Sequence, residues 1–205
     1  MIRMGILCNR RSKMRVLVTG SHGFIGKNMV VHLNELEGFE SLQFTRQDSI
    51  EKLNILVSQA DAIIHLAGVN RPASEAEFEQ VNVGLSKVLC NIIKDNGRKI
   101  KLIFVSSMQA EQDSQFGKSK RAAEEVFKKL STDTDNSVFI YRLINTFGKW
   151  CKPNYNSVVA TFCYNTAHDL PIQINDSSTK LHLVYVDDVI SELLRAIQSE
   201  TPGLT

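Results

Sequence analysis

The chain has 205 residues, enough for one domain with a substantial core but not for two large ones. Hydrophobic residues make up 43% of it, charged residues 22%, and the formal net charge is +2. This composition is typical of a soluble globular protein and gives no argument for nucleic acid as a partner. No apolar run approaches the ~18–20 residues of a membrane-spanning helix, so we expect no membrane span.

The cysteines lie apart, without CxxC or metal-ligand spacing: Cys8, Cys90, Cys151 and Cys163. We therefore expect reduced thiols in a cytoplasmic protein, and no metal site. Residues 1–13 precede the first apolar strand and are rich in basic side chains, and we expect them to form a flexible extension.

From residue 15 onward, short apolar strands alternate with segments of helical apolar spacing. Strands are predicted at 15–20, 41–46, 61–68, 101–107 and 137–143, and helices at 24–36, 50–59, 75–95 and 116–130. The remainder predicts a helix near 156–168, short strands near 171–174 and 181–186, and a last helix at 187–199. This order indicates a doubly wound parallel sheet of the Rossmann type, with helices on both faces.

A glycine-rich turn joins the first strand to the first helix. TGSHGFIG places Gly20, Gly23 and Gly26 at GxxGxxG spacing, where the backbone approaches a ligand closely and the helix N-terminus presents free N–H groups. Directly after an apolar strand, this spacing is typical of a dinucleotide site. We expect the whole turn to contact the cofactor, including His22, Phe24 and Ile25.

The end of the second predicted strand indicates which dinucleotide is bound. NAD-binding proteins usually carry an acidic residue there, which bonds the ribose hydroxyls. This chain has Arg46 in FTRQD, and a guanidinium suits a 2′-phosphate, so NADP (as NADPH) is favoured. Asp48, two residues later, keeps NAD open as the alternative.

Several segments, in one order, resemble the extended short-chain dehydrogenase/reductases, which include NAD-dependent epimerases and dehydratases. They run from residue 15 to about 190: TGSHGFIG, DAIIHLAG, Asn82 in FEQVNVGLSKVL, VSS, FGKSK, YRLINTFG and YVDDV. HLAGVNRP, QAEQDSQFGKSK and FGKWCKPNYNSVVATFCY further resemble the reductase half of the CapF family of capsular polysaccharide enzymes.

This resemblance implies an activity. Members of that family use NADPH to reduce the 4-keto group of a UDP-2-acetamido-2,6-dideoxy-hexos-4-ulose for bacterial capsule or O-antigen, and a homodimer is expected. They continue into a zinc-binding cupin domain. The five histidines of this chain are dispersed, so we expect residues 14–205 to form an incomplete NADP-binding reductase domain without a cupin.

The chemistry centres on Ser107, Phe116 and Lys120. Hydride transfer to a ketone builds negative charge on its oxygen, which needs a hydrogen-bond donor and a proton source. Ser107 ends the fourth strand and can donate there. The resemblance implies that Lys120 holds the nicotinamide ribose and lowers the pKa of a tyrosine four residues earlier, and that position holds Phe116.

Phe116 leaves three interpretations open. The chain is a disabled reductase, a residual enzyme whose proton comes from Ser107 or water, or a catalytically silent NADP- or nucleotide-sugar-binding protein. Tyr155 is a weaker substitute acid. A further alternative is an NAD-dependent sugar-nucleotide epimerase or dehydratase, which Arg46 disfavours.

The remaining candidates flank this centre. The resemblance places Leu66, Ala67, Gly68 and Asn82 at the cofactor, although Asn82 can equally be a satisfied buried amide. Cations and aromatic rings after the fifth strand suit a uridine diphosphate, and the predicted substrate-binding residues are Asn70, Arg71, Asn145, Lys149, Lys152 and Tyr155. His65 is expected in the core, and Asp187 or Asp188 as the cap of the last helix.

Overall fold

A computed structural model describes residues 13–72, 74–155 and 157–199, so most of the predicted N-terminal extension lies outside the described residues. Five strands form one parallel sheet in the order β2-β1-β3-β4-β5. They are β1 (Met14–Thr19), β2 (Phe39–Phe44), β3 (Ala62–His65), β4 (Lys101–Ser107) and β5 (Val138–Leu143). The strand order reverses direction between β1 and β3, as in a doubly wound fold.

Helices cover both faces of this sheet. They are α1 (Phe24–Glu35), α2 (Ile50–Gln59), α3 (Glu75–Glu77), α4 (Leu85–Asn96), α5 (Gln115–Asp133), α6 (Val158–Ala167) and α7 (Val186–Gln198). Alternate strand residues point to opposite faces, which gives two apolar clusters. Leu17 and Phe104 pack with α2, α4 and α5, whereas Val16 and Val105 pack with α1 and α7.

This arrangement confirms the predicted Rossmann-type fold. Strands β1, β3 and β4 are near-continuous apolar runs because they are buried on both faces, whereas the edge strand β2 buries only Phe44. In the described part of the chain, no helix is long and apolar enough to cross a bilayer.

Several element boundaries differ from the prediction. β2 ends at Phe44 rather than residue 46, and β3 ends at His65 rather than residue 68. The single helix predicted over 75–95 is α3, a π-helix (Phe78–Gly84) and α4 in succession. A short 3₁₀ turn (Met108–Glu111) follows β4.

The C-terminal part differs more. Two short strands, β6 (Asn145–Phe147) and β7 (Leu183–Tyr185), pair in parallel as a second sheet. The strand predicted near 171–174 is wrong: Ile172 and Ile174 have extended-strand propensity, but Ile174 is 65% exposed and no strand pairs with this segment. The predicted cap is also wrong, because Tyr185 is the N-cap of α7 and Asp187 and Asp188 lie within its first turn.

Candidate functional site

A cavity of about 1270 Å³ opens at the carboxyl ends of the central strands. The cavity is lined by Gly20 after β1, Leu66 after β3, Ser107 at the end of β4 and Leu143 at the end of β5. Loops from neighbouring parallel strands meet at this edge, where such sheets bind ligands. Most of the predicted site residues line it: Gly20, Gly23, Phe24, Ile25, Gly26, Leu66, Gly68, Asn70, Arg71, Ser107, Phe116, Lys120, Asn145 and Tyr155.

Other predicted residues do not form the cavity wall. Ala67 and Asn82 lie just behind it, His22 and Arg46 are exposed beside it, and Lys149 and Lys152 lie on the exposed loop that follows β6. Lys149 places its Nζ 5.6 Å from the ring centroid of Trp150. The cavity instead receives Lys180 and His182, which precede β7 and which sequence reasoning did not single out.

Two positions of the glycine turn have no room for a side chain. Gly20 has φ +67°, and a Cβ there would lie 2.8 Å from the backbone nitrogen of Ala67. A Cβ at Gly26 would overlap the carbonyl oxygen of Gly20. The turn is closed by the N–H of Gly23, which donates to the Gly20 carbonyl at 2.9 Å. The N-terminus of α1 therefore faces the cavity with its free N–H groups.

Arg46 lies two residues beyond the end of β2, with its side chain 82% exposed. Its guanidinium pairs with the Glu77 carboxylate at 2.8 Å. The carboxylate of Asp48, the alternative acceptor for the ribose hydroxyls, already accepts hydrogen bonds within the protein. It accepts bonds from the Thr45 backbone and hydroxyl and from Lys52, and the Lys52 contact foremost lowers its pKa to about 2.

Ser107 and Phe116 both line the cavity. The Ser107 Oγ accepts a bond from the Gln109 N–H at 3.2 Å, which leaves its own hydroxyl hydrogen available to a ligand. Phe116 lies in the first turn of α5, with its ring 6.0 Å from that of Phe78. A tight approach to the 3₁₀ turn fixes this end of α5, because a Cβ at Gly117 would overlap the Gln109 carbonyl oxygen.

Lys120 lies one turn further along α5 and is buried. Its Nζ donates to the Val105 carbonyl at 3.2 Å and lies 5.1 Å from the ring centroid of Phe104 and 5.9 Å from that of Phe116. Burial lowers the pKa of Lys120 to about 8, against an opposing effect of the Glu124 carboxylate.

Glu124 forms a buried ionic network below Lys120. Its carboxylate accepts bonds from the Ser106 hydroxyl at 2.5 Å and from the Arg142 guanidinium at 2.7 and 3.0 Å. Burial alone would raise the pKa of this carboxyl, but the bonds from Arg142 and Ser106 hold it below its usual value. Glu124 therefore stays ionised, and its carboxylate supports the Lys120 ammonium although Arg142 offsets part of the charge.

A chain of buried hydrogen bonds connects the glycine turn to α5. Thr19 Oγ1 accepts from the N–H groups of Leu66 and Ala67 at 3.2 Å, so its own hydrogen goes to His65 Nδ1 at 2.8 Å. His65 Nε2 then donates to Ser86 Oγ, which donates to the Asn82 carbonyl. Full burial lowers the pKa of His65 to about 3, so this ring is neutral and belongs to the core, as predicted.

Asn82 completes this chain. Its Oδ1 accepts from the Val69 N–H at 2.8 Å, and its Nδ2 donates to the Val69 carbonyl and to Ser119 Oγ. Ser119 in turn donates to the Phe116 carbonyl at 2.8 Å. Asn82 is thus a satisfied buried amide, and it holds the loop after β3 against the first turn of α5.

Arg71 connects two loops at the mouth of the cavity. Its guanidinium donates to the Asn154 carbonyl at 3.2 Å and lies 5.8 Å from the ring centroid of Tyr155. Among the residues that the structure describes, no group of His, Cys, Asp and Glu is arranged to hold a metal ion.

The sequence pattern of the NAD dependent epimerase/dehydratase family matches residues 16–204. A UDP-2-acetamido-2,6-beta-L-arabino-hexul-4-ose reductase from Pseudomonas aeruginosa strain PA103 is 49% identical over 187 residues, which cover 91% of this chain and 50% of the relative. The crystal structure of the capsular polysaccharide assembling protein CapF from Staphylococcus aureus superposes with a TM-score of 0.82 at 42% identity, covering 93% of this chain and 51% of CapF.

More distant structures share the fold. A UDP-glucuronic acid 4-epimerase from Bacillus cereus, solved in complex with NAD, superposes with a TM-score of 0.83 at 17% identity, covering 93% of this chain and 76% of that one. The chain spans about half the length of the first two relatives.

Proposed function

The chain belongs to the NAD dependent epimerase/dehydratase family, and on that premise we propose that it is the reductase part of a sugar-nucleotide enzyme. Its reaction is the NADPH-dependent reduction of the 4-keto group of a UDP-2-acetamido-2,6-dideoxy-hexos-4-ulose, in the cytoplasm, for a capsular or O-antigen sugar. The observation that carries this proposal is the 49% identity to a reductase of a UDP-linked hexulose, over a segment that contains the whole cavity wall.

The cofactor half of the cavity fits a dinucleotide. The turn from Gly20 to Gly26 leaves no room for side chains at its two tightest points and presents the α1 N-terminus, which suits a pyrophosphate. Arg46 is exposed next to this turn and suits a 2′-phosphate, whereas the carboxylate of Asp48 is occupied by Lys52 and Thr45. These contacts favour NADPH over NADH.

The reacting groups lie at the other side of the cavity. A reduced nicotinamide supplies the hydride when it is bound. Lys120 binds the adjoining ribose hydroxyls through an ammonium that also bonds the Val105 carbonyl. Ser107 donates its hydroxyl hydrogen to the ketone oxygen and stabilises the charge that develops there.

The sugar nucleotide lies toward the mouth, among Asn70, Arg71, Asn145 and Tyr155. The Arg71 guanidinium carries charge suited to the diphosphate, and the Tyr155 ring beneath it offers a stacking face for the base. Lys149 and Lys152 lie on the exposed loop near this mouth and bind the diphosphate only if that loop closes over it.

Phe116 lowers turnover because the tyrosine hydroxyl that the family uses as proton donor is missing. A positioned general acid contributes ~10²–10⁴-fold, and another donor recovers part of that factor in this chain, so Phe116→Tyr should raise kcat by ~10- to 10²-fold. The measurement is NADPH oxidation with a UDP-4-keto-6-deoxy-HexNAc by both proteins. Equal kcat values would contradict the assignment of the proton-donor position to residue 116.

Phe116 also favours a second candidate, a catalytically silent NADP- or nucleotide-sugar-binding protein. Both candidates bind NADPH, but only the reductase consumes it. If the unaltered chain and Phe116→Tyr both bind NADPH and the sugar nucleotide while neither oxidises NADPH, the silent binding protein is the correct account.

A further inference from the structure

A buried ammonium lies beside the phenyl ring that replaces the tyrosine. We propose that Lys120 is itself the proton source in this chain and that its proton reaches the ketone oxygen through one water molecule at the edge of the Phe116 ring. This role rests on the proposed reductase function. The proposed function assigns Lys120 only the binding of ribose, and the proton transfer is an additional role.

The position of Lys120 supports this step. The side chain lines the same cavity as Ser107 and Phe116, and its Nζ lies 5.9 Å from the centroid of the Phe116 ring. It also borders the loop after β3, since a Cβ at Gly68 would lie 3.6 Å from Nζ. Ser107, which binds the ketone in the proposed function, thus lines the same cavity as Lys120, and the Phe116 ring borders the space next to the Lys120 ammonium.

The hydrogen-bonding capacity of the ammonium is only partly used. Of its three N–H groups, one donates to the Val105 carbonyl, and no other acceptor of Nζ is found among the described residues. The other contacts of Nζ are with the faces of the Phe104 and Phe116 rings. A water at the ring edge would accept one of the remaining N–H groups and donate to the ketone oxygen.

The charges around Lys120 suit an acid that works near neutral pH. The charged groups are Glu124 on the same helix and Arg142 on β5, which pairs with Glu124. His65 on β3 is also titratable, but it is neutral. Burial brings the pKa of Lys120 to about 8, so most of the side chain is protonated at pH 7 and yet the proton is readily lost.

The atoms of the step balance. The hydride forms a C–H bond at the carbonyl carbon while the C=O π electrons move to oxygen, and the water gives its proton to that oxygen. A proton from Lys120 Nζ replaces the one that the water lost. The neutral amine then takes a proton from solvent, so the overall change consumes one ketone, one NADPH and one proton.

The first test needs neither cofactor nor mutation. Competitive acetylation of the cofactor-free protein across pH 6–11, read by mass spectrometry of the peptide that contains Lys120, should give an apparent pKa of about 8. A value at the ordinary 10.5 of lysine would overturn the proposal. In Glu124→Gln the apparent pKa should fall further, because the charge that supports the ammonium is removed.

The second test separates proton donation from ribose binding. Lys120→Arg keeps a cation but removes the exchangeable proton, since arginine stays protonated at all working pH values. With Phe116 in place it should lower kcat by ~10²-fold or more, whereas in Phe116→Tyr, where the hydroxyl donates, the loss should stay below ~10-fold. Lys118→Arg, an exposed substitution on the same helix, should alter kcat in neither background.

The outcomes are distinct. Equal losses on Lys120→Arg in the two backgrounds overturn the proton-donor role and leave the reductase function intact. If neither the unaltered chain nor Phe116→Tyr turns over while NADPH and the sugar nucleotide are bound, both the reductase function and the proton-donor role are overturned. With Lys120 as the donor, kcat should fall as the pH rises through about 8, because the acid loses its proton there. Tyr155→Phe and His182→Gln remove the other proton-bearing groups at the cavity wall, and loss of this fall in either variant overturns Lys120 as the donor.

Discussion

Under the proposed function, the exposed Arg46 selects the cofactor. In the structure its guanidinium is held by Glu77 at 2.8 Å, at the start of the helical segment that leads to Asn82. An exposed ion pair of this kind contributes little to stability, so a 2′-phosphate with two negative charges competes well for the guanidinium. Glu77 is therefore expected to orient Arg46 at only a small cost in NADPH affinity.

Arg46→Ala should weaken NADPH binding by about 10- to 100-fold, because a charge-assisted hydrogen bond contributes about 1.5–3 kcal/mol. The dissociation constant of NADH, which lacks the 2′-phosphate, serves as the control and should change by less than about twofold. Both constants are obtained by fluorescence titration of the same protein preparations. An equal weakening of both cofactors would show that Arg46 does not read the 2′-phosphate.

At the residue scale, the structure brings together those predicted residues whose type and position are both fixed by a motif. The glycine turn, Ser107, Phe116 and Lys120 all line one cavity, as expected from their places after consecutive strands. Sequence reasoning missed Lys180 and His182, because the segment before β7 carries no motif and reaches the cavity only through the pairing of β6 with β7. It also missed Ser86 and Ser119, since a small hydroxyl in a helix gives no signal of its buried partner.

The π-helix Phe78–Gly84 is the element that ties the site together. It turns Asn82 inward to bond both backbone groups of Val69 and the Ser119 hydroxyl, which an uninterrupted α-helix over 75–95 would not place in the same register. One wider turn shifts the apolar pattern too little to be recognised in a sequence of this length. Sequence reasoning therefore predicted a single α-helix here.

Asn82→Ala should lower the free energy of unfolding by about 2 kcal/mol, because it leaves the Val69 N–H and carbonyl without their partner. The same substitution should also weaken NADPH binding, since the loop after β3 loses its attachment to α5. Urea unfolding followed by circular dichroism measures the first effect. Asn91→Ala, an exposed amide on α4, is the matched control and should stay within about 0.5 kcal/mol of the unaltered protein.

A loss in Asn82→Ala no larger than in Asn91→Ala would contradict the structural role of the π-helix. A loss of stability without any change in NADPH affinity would restrict Asn82 to the core and separate it from the cofactor site.

At the scale of the whole molecule, the alternation of strands and helices was sufficient to predict the doubly wound sheet. The central strands are apolar runs flanked by helices whose buried faces match the two clusters of the core. The boundaries were less predictable, because β-propensity continues past the last paired residue at β2 and β3. The segment around Ile172 and Ile174 has the same propensity and forms no strand, for want of a neighbour with which to pair.

The two halves of the cavity come from different parts of the chain. The turn after β1 lines one side of the cavity and β4 with α5 lines the other, so a ligand that touches both must span the carboxyl edge of the sheet. A dinucleotide has this extent, and in the proposed function the sugar nucleotide enters at Arg71 and Tyr155. The central claim is that this cavity transfers a hydride to the sugar even with Phe116 in place.

The most direct measurement uses the unaltered chain, NADPH carrying deuterium on both hydrogens of nicotinamide C4, and a UDP-2-acetamido-2,6-dideoxy-hexos-4-ulose. The product should contain one deuterium, bonded to C4 of the sugar, formed slowly but well above a blank without protein. A product without deuterium at C4, or no product above the blank while both ligands are bound, would contradict the account.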